Sequence, residues 1–173
     1  MNSQFVVAVD PGNTYHGVVS AEVWDGGIQI SAVEEVLDRV EVATMVEAAS
    51  PDALVIEEYR LFPWQARNQG FSDFPTPRAI GMLEYAAIRN DIPVYFQKAA
   101  DKKRARALAK AADWPMTDRE LGSGKGKYRG PDFDPAWLKR DFGVKSSQHV
   151  RDALCHLVWY AWTNPKSPAF RLG

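Results

Sequence analysis

The chain has few of the features that mark secreted or membrane proteins. Its 173 residues include one cysteine, Cys155, so no disulfide can form within the chain, and such a composition is typical of a reducing compartment. No run of about 18 apolar residues occurs, which argues against a membrane span. The residues before the first apolar run carry no basic side chain, so we expect no signal peptide. These absences predict a cytoplasmic protein.

Basic residues are also nearly absent from the first third of the chain. Residues 1–58 contain 11 acidic residues and one basic residue, Arg39, whereas the remainder contains 20 basic and 11 acidic residues. The formal net charge of −1 therefore hides two regions of opposite sign. Two solvated faces would produce this asymmetry, and so would an anionic partner such as nucleic acid that contacts the carboxyl-terminal part.

The rest of the composition fits a packed α/β domain. Hydrophobic residues make up 46% of the chain, and the length suits one domain, residues 1–173. Periodicity and turn residues predict strands at 4–10, 16–24, 28–33, 53–58 and 93–97, and helices at about 36–49, 76–89, 101–112, 135–142 and 147–163. This order predicts a mixed sheet, with a three-strand antiparallel meander plus parallel strands and helices on both faces.

Two stretches rich in turn residues interrupt this pattern. Asp25-Gly26-Gly27 predicts a hairpin turn between the second and third strands. Residues 113–145 form a long basic, glycine-rich insert, of which 113–134 are expected to be a loop.

Three acidic residues lie where apolar segments meet polar ones. Asp10 follows a buried strand and precedes Pro11, Glu57 ends the fourth strand, and Asp152 opens the last helix. If the first and fourth strands are neighbours, Asp10 and Glu57 meet at one edge of the sheet. Converging carboxylates suit a divalent cation. Asp10 and Asp152 also have plainer explanations, because Asp before Pro-Gly starts turns and Asp suits the first turn of a helix.

Three motifs in this order resemble the RuvC-type Holliday junction resolvases, phage members in particular. The segment from Asp10 to Gly17 resembles the family's D-P-G-(x4)-G hairpin. Val55-Ile56-Glu57 is similar to its strand that ends in I-E, and the helix from His149 to Leu154 is similar to its (D/H)-x-x-D-A-L helix. The resemblance spans about residues 4–163 and implies an RNase H-like nuclease fold. The insert is longer than the family's usual connection.

The resemblance implies a metal-dependent endodeoxyribonuclease that resolves Holliday junctions or other branched DNA. It implies that two Mg²⁺ or Mn²⁺ ions are held by Asp10, Glu57, His149 and Asp152, for hydrolysis of a phosphodiester by two metals. His149 suits Mn²⁺ better than Mg²⁺, which leaves the metal preference open. The family's catalytic lysine falls near Lys103. A homodimer through residues 76–90 would match the two-fold symmetry of a four-way junction.

Basic and aromatic side chains supply candidate DNA contacts. The aromatic residue that wedges into the junction in this family would be Tyr59 or Phe62. Stacking suits unpaired bases, but a hydrophobic lid or dimer contact is an equal alternative. The basic candidates are Lys98, Lys102, Lys103, Arg104, Arg106 and Lys110 on or beside one helix, and Lys125, Lys127 and Arg129 on the glycine-rich loop. Such residues can follow a phosphate backbone, or they can simply be solvated.

Other functions remain open at this level. An RNase H-like nuclease could act on flaps, forks or RNA–DNA hybrids. A non-catalytic DNA-binding or scaffold protein would have the same surface without converging acids. The Asp10–Thr14 segment also resembles the first hairpin of actin-like and sugar-kinase ATP-binding proteins, although these need two such lobes. His156 continues the stripe of Asp152 along the last helix, and we expect it to be a core residue.

Overall fold

The computed structural model describes residues 3–24, 27–59, 74–121 and 128–164. These ranges contain seven strands and five helices. The strands are β1 (Gln4–Pro11), β2 (His16–Trp24), β3 (Gly27–Val36), β4 (Ala53–Glu57), β5 (Val94–Gln97), β6 (Met116–Leu121) and β7 (Tyr128–Phe133). The helices are α1 (Arg39–Ala49), α2 (Pro75–Arg89), α3 (Asp101–Ala111), α4 (Pro135–Phe142) and α5 (Gln148–Thr163).

A five-stranded mixed sheet in the order β3-β2-β1-β4-β5 forms the centre of the molecule. Strands β1, β2 and β3 form an antiparallel meander, whereas β4 runs parallel to β1 and β5 runs parallel to β4. The predicted mixed sheet and the predicted adjacency of the first and fourth strands are therefore confirmed. The carboxyl ends of β1 and β4 lie side by side, which is where the candidate acids occur.

Each face of this sheet is covered by helices, because side chains of β1 alternate between the faces. Val6 and Ala8 belong to a core cluster that includes residues of α3 and α5. Val7 and Val9 belong to a second cluster that includes residues of α1 and α2. Helices on both faces, as predicted, thus enclose a sheet whose central strand is apolar on both sides.

The insert departs from the expectation of a loop. Strands β6 and β7 form an antiparallel hairpin within the predicted loop, and Phe133 at its end is fully buried. Trp114 and Trp137 pack against Phe133 with ring centroids 5.8 and 6.3 Å away. Strand β7 was not predicted because it contains Gly130 and Pro131, and both residue types are unfavourable in strand interiors. A two-stranded sheet accepts proline because each strand keeps one unpaired edge.

Smaller differences occur at element ends. The first helix begins at Arg39 and not near residue 36, because β3 continues to Val36 and the Asp38 carboxylate accepts a hydrogen bond from the backbone N–H of Val40 at 2.8 Å. The predicted hairpin turn falls on Asp25 and Gly26, which lie outside the described residues. None of the helices in the described ranges combines the length and the apolar character needed to cross a bilayer.

Candidate active site

Asp10 and Glu57 point from neighbouring parallel strands toward the same helical layer. Val9 of β1 pairs with Ile56 of β4, so the two acids are the next residues of both strands. Alternation places them on the face opposite Val9, where α3 and α5 lie. Asp10 is buried, and Glu57 is half-buried at the edge of a cleft. The proximity expected from the sequence is therefore present in the fold.

The last helix brings Asp152 to the same place. Ser147 caps α5 by accepting a hydrogen bond from the backbone N–H of Val150, which is a common way to start a helix. Asp152 follows in the first turns and is 3% exposed. A carboxylate with so little exposure needs charged or hydrogen-bonding partners to remain ionised.

Two glycines permit α5 to lie this close to the first hairpin. A Cβ at Gly17 would collide with the backbone carbonyl of His149, and a Cβ at Gly12 would collide with the His149 imidazole. The glycines of the D-P-G-(x4)-G pattern therefore have a steric reason in this chain. They let β1, β2 and the start of α5 meet without intervening side chains.

The ammonium group of Lys102 lies among the three carboxylates. Its Nζ is 2.8 Å from Glu57 Oε2, 2.8 Å from Asp152 Oδ2 and 3.9 Å from Asp10 Oδ1. The sequence pointed to Lys103 as the catalytic lysine, but Lys103 is exposed on α3 and Lys102 faces the acids. The correction arises because neighbouring residues differ by about 100° around a helix, and only packing fixes which of them faces inward.

Two histidines extend the cluster on α5. His149 Nδ1 lies 2.5 Å from Asp10 Oδ2, and its side chain is 36% exposed. His156 is fully buried, as expected of a core residue, with Nε2 3.1 Å from Glu57 Oε2 and Nδ1 3.1 Å from Gln97 Oε1. His149 was a candidate from the sequence, whereas the contact of His156 with Glu57 was missed. The i, i+4 spacing from Asp152 was the available signal.

A buried ion-pair network supports Asp152 from behind. Arg106 Nη2 donates to Asp152 Oδ1 at 2.6 Å, and Arg106 Nε donates to Asp132 Oδ1 at 3.0 Å. Arg151 Nε donates to the other oxygen of Asp132 at 2.6 Å. Asp132 is 0% exposed and belongs to β7. The insert is thus connected to the acidic cluster through Arg106, a role that the predicted loop did not suggest.

The cluster strongly perturbs its own ionisation. Burial raises the pKa of Asp10 to about 7, although its hydrogen bond with His149 acts in the opposite direction. Burial would also raise the pKa of Glu57, but His156, Asp10 and Lys102 hold it well below its usual range. Burial would lower the pKa of Lys102, but the carboxylates outweigh burial and raise it. Lys102 therefore remains a cation at neutral pH.

These groups suit divalent cations. Ligand atoms of Asp10, Glu57 and His156 lie within 4.8 Å of one another, a spread that one metal ion can span. Carboxylate oxygens favour Mg²⁺, Mn²⁺ or Ca²⁺, and imidazole nitrogen favours Mn²⁺ among them. The position of the Lys102 ammonium shows that the cluster already attracts positive charge. The donor set therefore fits the cations that the sequence resemblance implied.

A cleft of about 520 Å³ opens over this cluster. Tyr59, which is 36% exposed, and Lys98 lie on its wall. Lys103 and Arg104 are exposed on α3, and the guanidinium of Arg104 lies 5.9 Å from the ring centroid of Trp159.

The remaining DNA-contact candidates are dispersed. Arg106 is 7% exposed and bound by Asp132 and Asp152, so it serves the interior and not a DNA surface. Lys110 is exposed and lies 3.8 Å from Asp118, and Arg129 is exposed on β7. Phe62, Lys125 and Lys127 lie outside the described residues.

Comparison with solved structures identifies the fold. RuvC of Thermus thermophilus in complex with Holliday junction substrate is similar over 95% of this chain and 97% of that one, with a TM-score of 0.59 and 18% identity. A second Thermus thermophilus RuvC structure is similar over 91% of this chain and 93% of that one, with a TM-score of 0.56 and 19% identity. No family model matches the chain, and no curated protein matches its sequence. The chain therefore has the RNase H-like fold of RuvC.

Proposed function

We propose that this protein is a metal-dependent endodeoxyribonuclease that resolves Holliday junctions or other branched DNA. The observation that carries the proposal is the convergence of Asp10, Glu57 and Asp152, from three separate elements, around a cationic group at the base of a cleft. A scaffold or purely DNA-binding protein would have no need for buried acids held so close together. The likeness to RuvC, one of whose structures contains a Holliday junction substrate, supports branched DNA as the substrate.

The proposed ligands of two Mg²⁺ or Mn²⁺ ions are Asp10, Glu57, His149 and Asp152. Asp10 is the best candidate to contact both ions, because it lies between His149 on one side and Glu57 on the other. Two bound ions would supply an activated water and would stabilise the leaving oxygen of the phosphodiester. Arg106 fixes the Asp152 carboxylate, and His156 contacts the Glu57 carboxylate, so both groups are already placed to bind the ions.

Lys102 takes the role that the sequence resemblance gave to Lys103. Its ammonium is on the cleft side of α3 and contacts three of the proposed ligands. If divalent cations neutralised the carboxylates, the same ammonium would be available to offset the charge of the scissile phosphate. Lys102 therefore both stabilises the metal-free cluster and assists catalysis in this proposal.

The DNA would approach along the walls of the cleft. Lys98, Lys103 and Arg104 are proposed phosphate contacts because they are exposed and lie along or just before α3. Tyr59 is proposed to stack on an unpaired base, because it follows Glu57 closely and is partly exposed on the cleft wall. Arg129 on β7 is a further proposed contact.

A homodimer is part of the proposal. Two symmetric cuts resolve a four-way junction, and a C2 dimer supplies two identical sites. Exposed apolar side chains on α1 and α2 favour this face for the contact, including Val40 (51% exposed), Tyr85 (63%) and Ile88 (74%). Large exposed apolar side chains of this kind are common at subunit interfaces.

Cleavage assays on matched substrates would test the proposal. A synthetic four-way junction, a fork, a flap, a linear duplex and an RNA–DNA hybrid would be incubated with Mg²⁺, Mn²⁺ or EDTA. Glu57→Gln is the control variant because it removes one charge and little volume. Paired symmetric nicks on the junction, absent in EDTA and in the variant, are the expected result. Metal-dependent cutting that prefers forks, flaps or hybrids would reassign the substrate, and binding without cutting would favour a non-catalytic role.

A further inference from the structure

His156 is the one fully buried histidine of the site, and its surroundings restrict its protonation. It lies four residues after Asp152 on α5, so both side chains lie on the same face of the helix. The ring lies between Gln97 on β5 and Glu57 on β4, with 3.1 Å to an oxygen on each side. The sequence predicted that His156 is a core residue, and its burial agrees with that prediction. The orientation of its ring also indicates a role in the site.

The contact with Gln97 assigns the proton of the ring. Gln97 presents its side-chain carbonyl oxygen to His156 Nδ1, and a carbonyl oxygen can only accept. Nδ1 therefore donates to Gln97, which leaves Nε2 as the ring atom that faces Glu57 Oε2 at 3.1 Å. Without a cation, Nε2 can donate a proton to Glu57. With a cation between the two atoms, Nε2 would present its lone pair to the ion, because Nδ1 keeps the proton of the neutral ring.

The distances around Nε2 match those between ligands of one metal ion. Nε2 lies 3.1 Å from Glu57 Oε2 and 4.0 Å from Asp10 Oδ1. Ligands about 2.1 Å from an octahedral ion are about 3 Å apart at right angles and about 4.2 Å apart when opposite. The two observed distances fall within the range that separates ligands of one such ion.

We propose that His156 Nε2 is a direct ligand of the divalent cation held by Asp10 and Glu57, and that Gln97 orients the ring for this role. The inference rests on the proposed function, because it concerns a cation of the same site. It adds a nitrogen donor that is independent of His149. A nitrogen ligand strengthens binding of Mn²⁺ relative to Mg²⁺. The site should therefore prefer Mn²⁺ even without His149.

Pulsed electron paramagnetic resonance of bound Mn²⁺ would test the assignment. Magnetic coupling to ¹⁴N in the echo modulation reports a nitrogen ligand directly and does not depend on turnover. The chain has three histidines, and His16 is assigned no role in the site. In His149→Gln protein with one equivalent of Mn²⁺, His156 is therefore the remaining imidazole ligand under this proposal. We expect the ¹⁴N coupling to persist in this variant and to disappear in His149→Gln/His156→Gln.

The outcomes separate this inference from the proposed function. Bound Mn²⁺ without ¹⁴N coupling in His149→Gln would overturn the role of His156 and leave the metal site intact. The same holds if coupling persists in the double variant. Failure of the wild-type protein to bind Mn²⁺ would overturn both. The decisive spectrum comes from a variant with an intact His156, so it does not depend on whether a core substitution folds. In a titration, His156→Gln should weaken Mn²⁺ binding about tenfold or more, and unchanged binding would also contradict the inference.

Discussion

Lys102 and Asp152 form an ion pair between α3 and α5, with 2.8 Å between Nζ and Oδ2. The same ammonium lies 2.8 Å from Glu57 Oε2, so a single positive charge balances carboxylates from two other elements. In the metal-free protein, the Lys102 ammonium offsets the negative charge of these carboxylates, as a divalent cation would. The pair therefore links the stability of the fold to the chemistry proposed for the cleft.

Lys102→Met should destabilise the metal-free protein. Removal of one partner from a largely buried ion pair leaves uncompensated charge and commonly costs about 3–5 kcal/mol. We expect a loss of this size in urea unfolding at pH 8 with EDTA, and partial recovery with Mn²⁺. Lys103→Met is the matched control, since that side chain is exposed and should change stability by about 0.5 kcal/mol or less. Equal stability of the two variants would contradict the role given to Lys102.

Asp132→Asn should weaken both the fold and the support of Asp152. Asp132 is 0% exposed and accepts hydrogen bonds from two buried arginines. Loss of its charge leaves Arg106 and Arg151 poorly compensated, and we expect a loss of about 3 kcal/mol or more in the free energy of unfolding. The control is Asp118→Asn, because Asp118 and its partner Lys110 are both exposed. A surface pair of this kind contributes about 0–1 kcal/mol. If both variants unfolded at the same urea concentration, the network would be unimportant.

The contribution of Asp10 and His149 to the stability of the metal-free protein should fall as pH rises from about 5 to 8. Burial raises the pKa of Asp10 to about 7 from an ordinary value of 3.8, and the hydrogen bond with Asp10 raises the pKa of His149. Both groups hold protons more tightly when folded, so their contribution is complete below the unfolded pKa and is lost as pH rises through the folded pKa. The slope is at most about 1.4 kcal/mol per pH unit for each proton.

Asp10→Asn supplies the reference for this measurement. The amide imitates the protonated acid and does not titrate, so the wild type should lose stability relative to Asp10→Asn as pH rises in EDTA. Urea unfolding at several pH values would measure the free energy of unfolding of both proteins. A wild type that gains stability relative to the variant with rising pH would show that the fold stabilises Asp10 as a carboxylate, which would contradict the prediction.

Gly17→Ala should disrupt the contact between the first hairpin and α5. The added methyl group would meet the backbone of His149 and Val150, which cannot move without displacing the helix. We expect a loss of more than about 2 kcal/mol in thermal or urea unfolding. Gly81→Ala on α2 is the opposite control, because nothing lies within 4 Å of its new Cβ. Alanine at such a helical position should stabilise the protein by about 0.5–1 kcal/mol. Similar behaviour of both variants would contradict the steric explanation.

The sequence predicts those features that depend on local pattern. Asp10 and Glu57 each end an apolar run, and parallel pairing of these runs is enough to bring them together. The pattern in β1 and β4 is clear because both strands are buried on two faces. The start of the last helix near residue 147 and the acid Asp152 were also predicted, since helix starts have local signals.

The features that were missed depend on packing between distant segments. Lys102 and Lys103 are neighbours in the same basic segment, so the local sequence does not distinguish them. Only the packing of α3 against the sheet determines which of the two contacts the acids. Strand β7 carries Gly130 and Pro131, so its propensity argued against a strand. The role of Asp132 was missed for two reasons. The residue lies on the unpredicted strand β7, and its two arginine partners are 26 and 19 residues away in the sequence.

The most direct test of the central claim is anomalous diffraction from crystals soaked in Mn²⁺. The account predicts two manganese peaks about 4 Å apart, bounded by Asp10, Glu57 and Asp152, with Lys102 Nζ displaced from its contact with Glu57. Glu57→Gln crystals soaked in parallel should lose at least one peak. An unchanged Lys102 with no anomalous peak beside the three carboxylates would contradict the assignment of this cluster as a metal-dependent catalytic site.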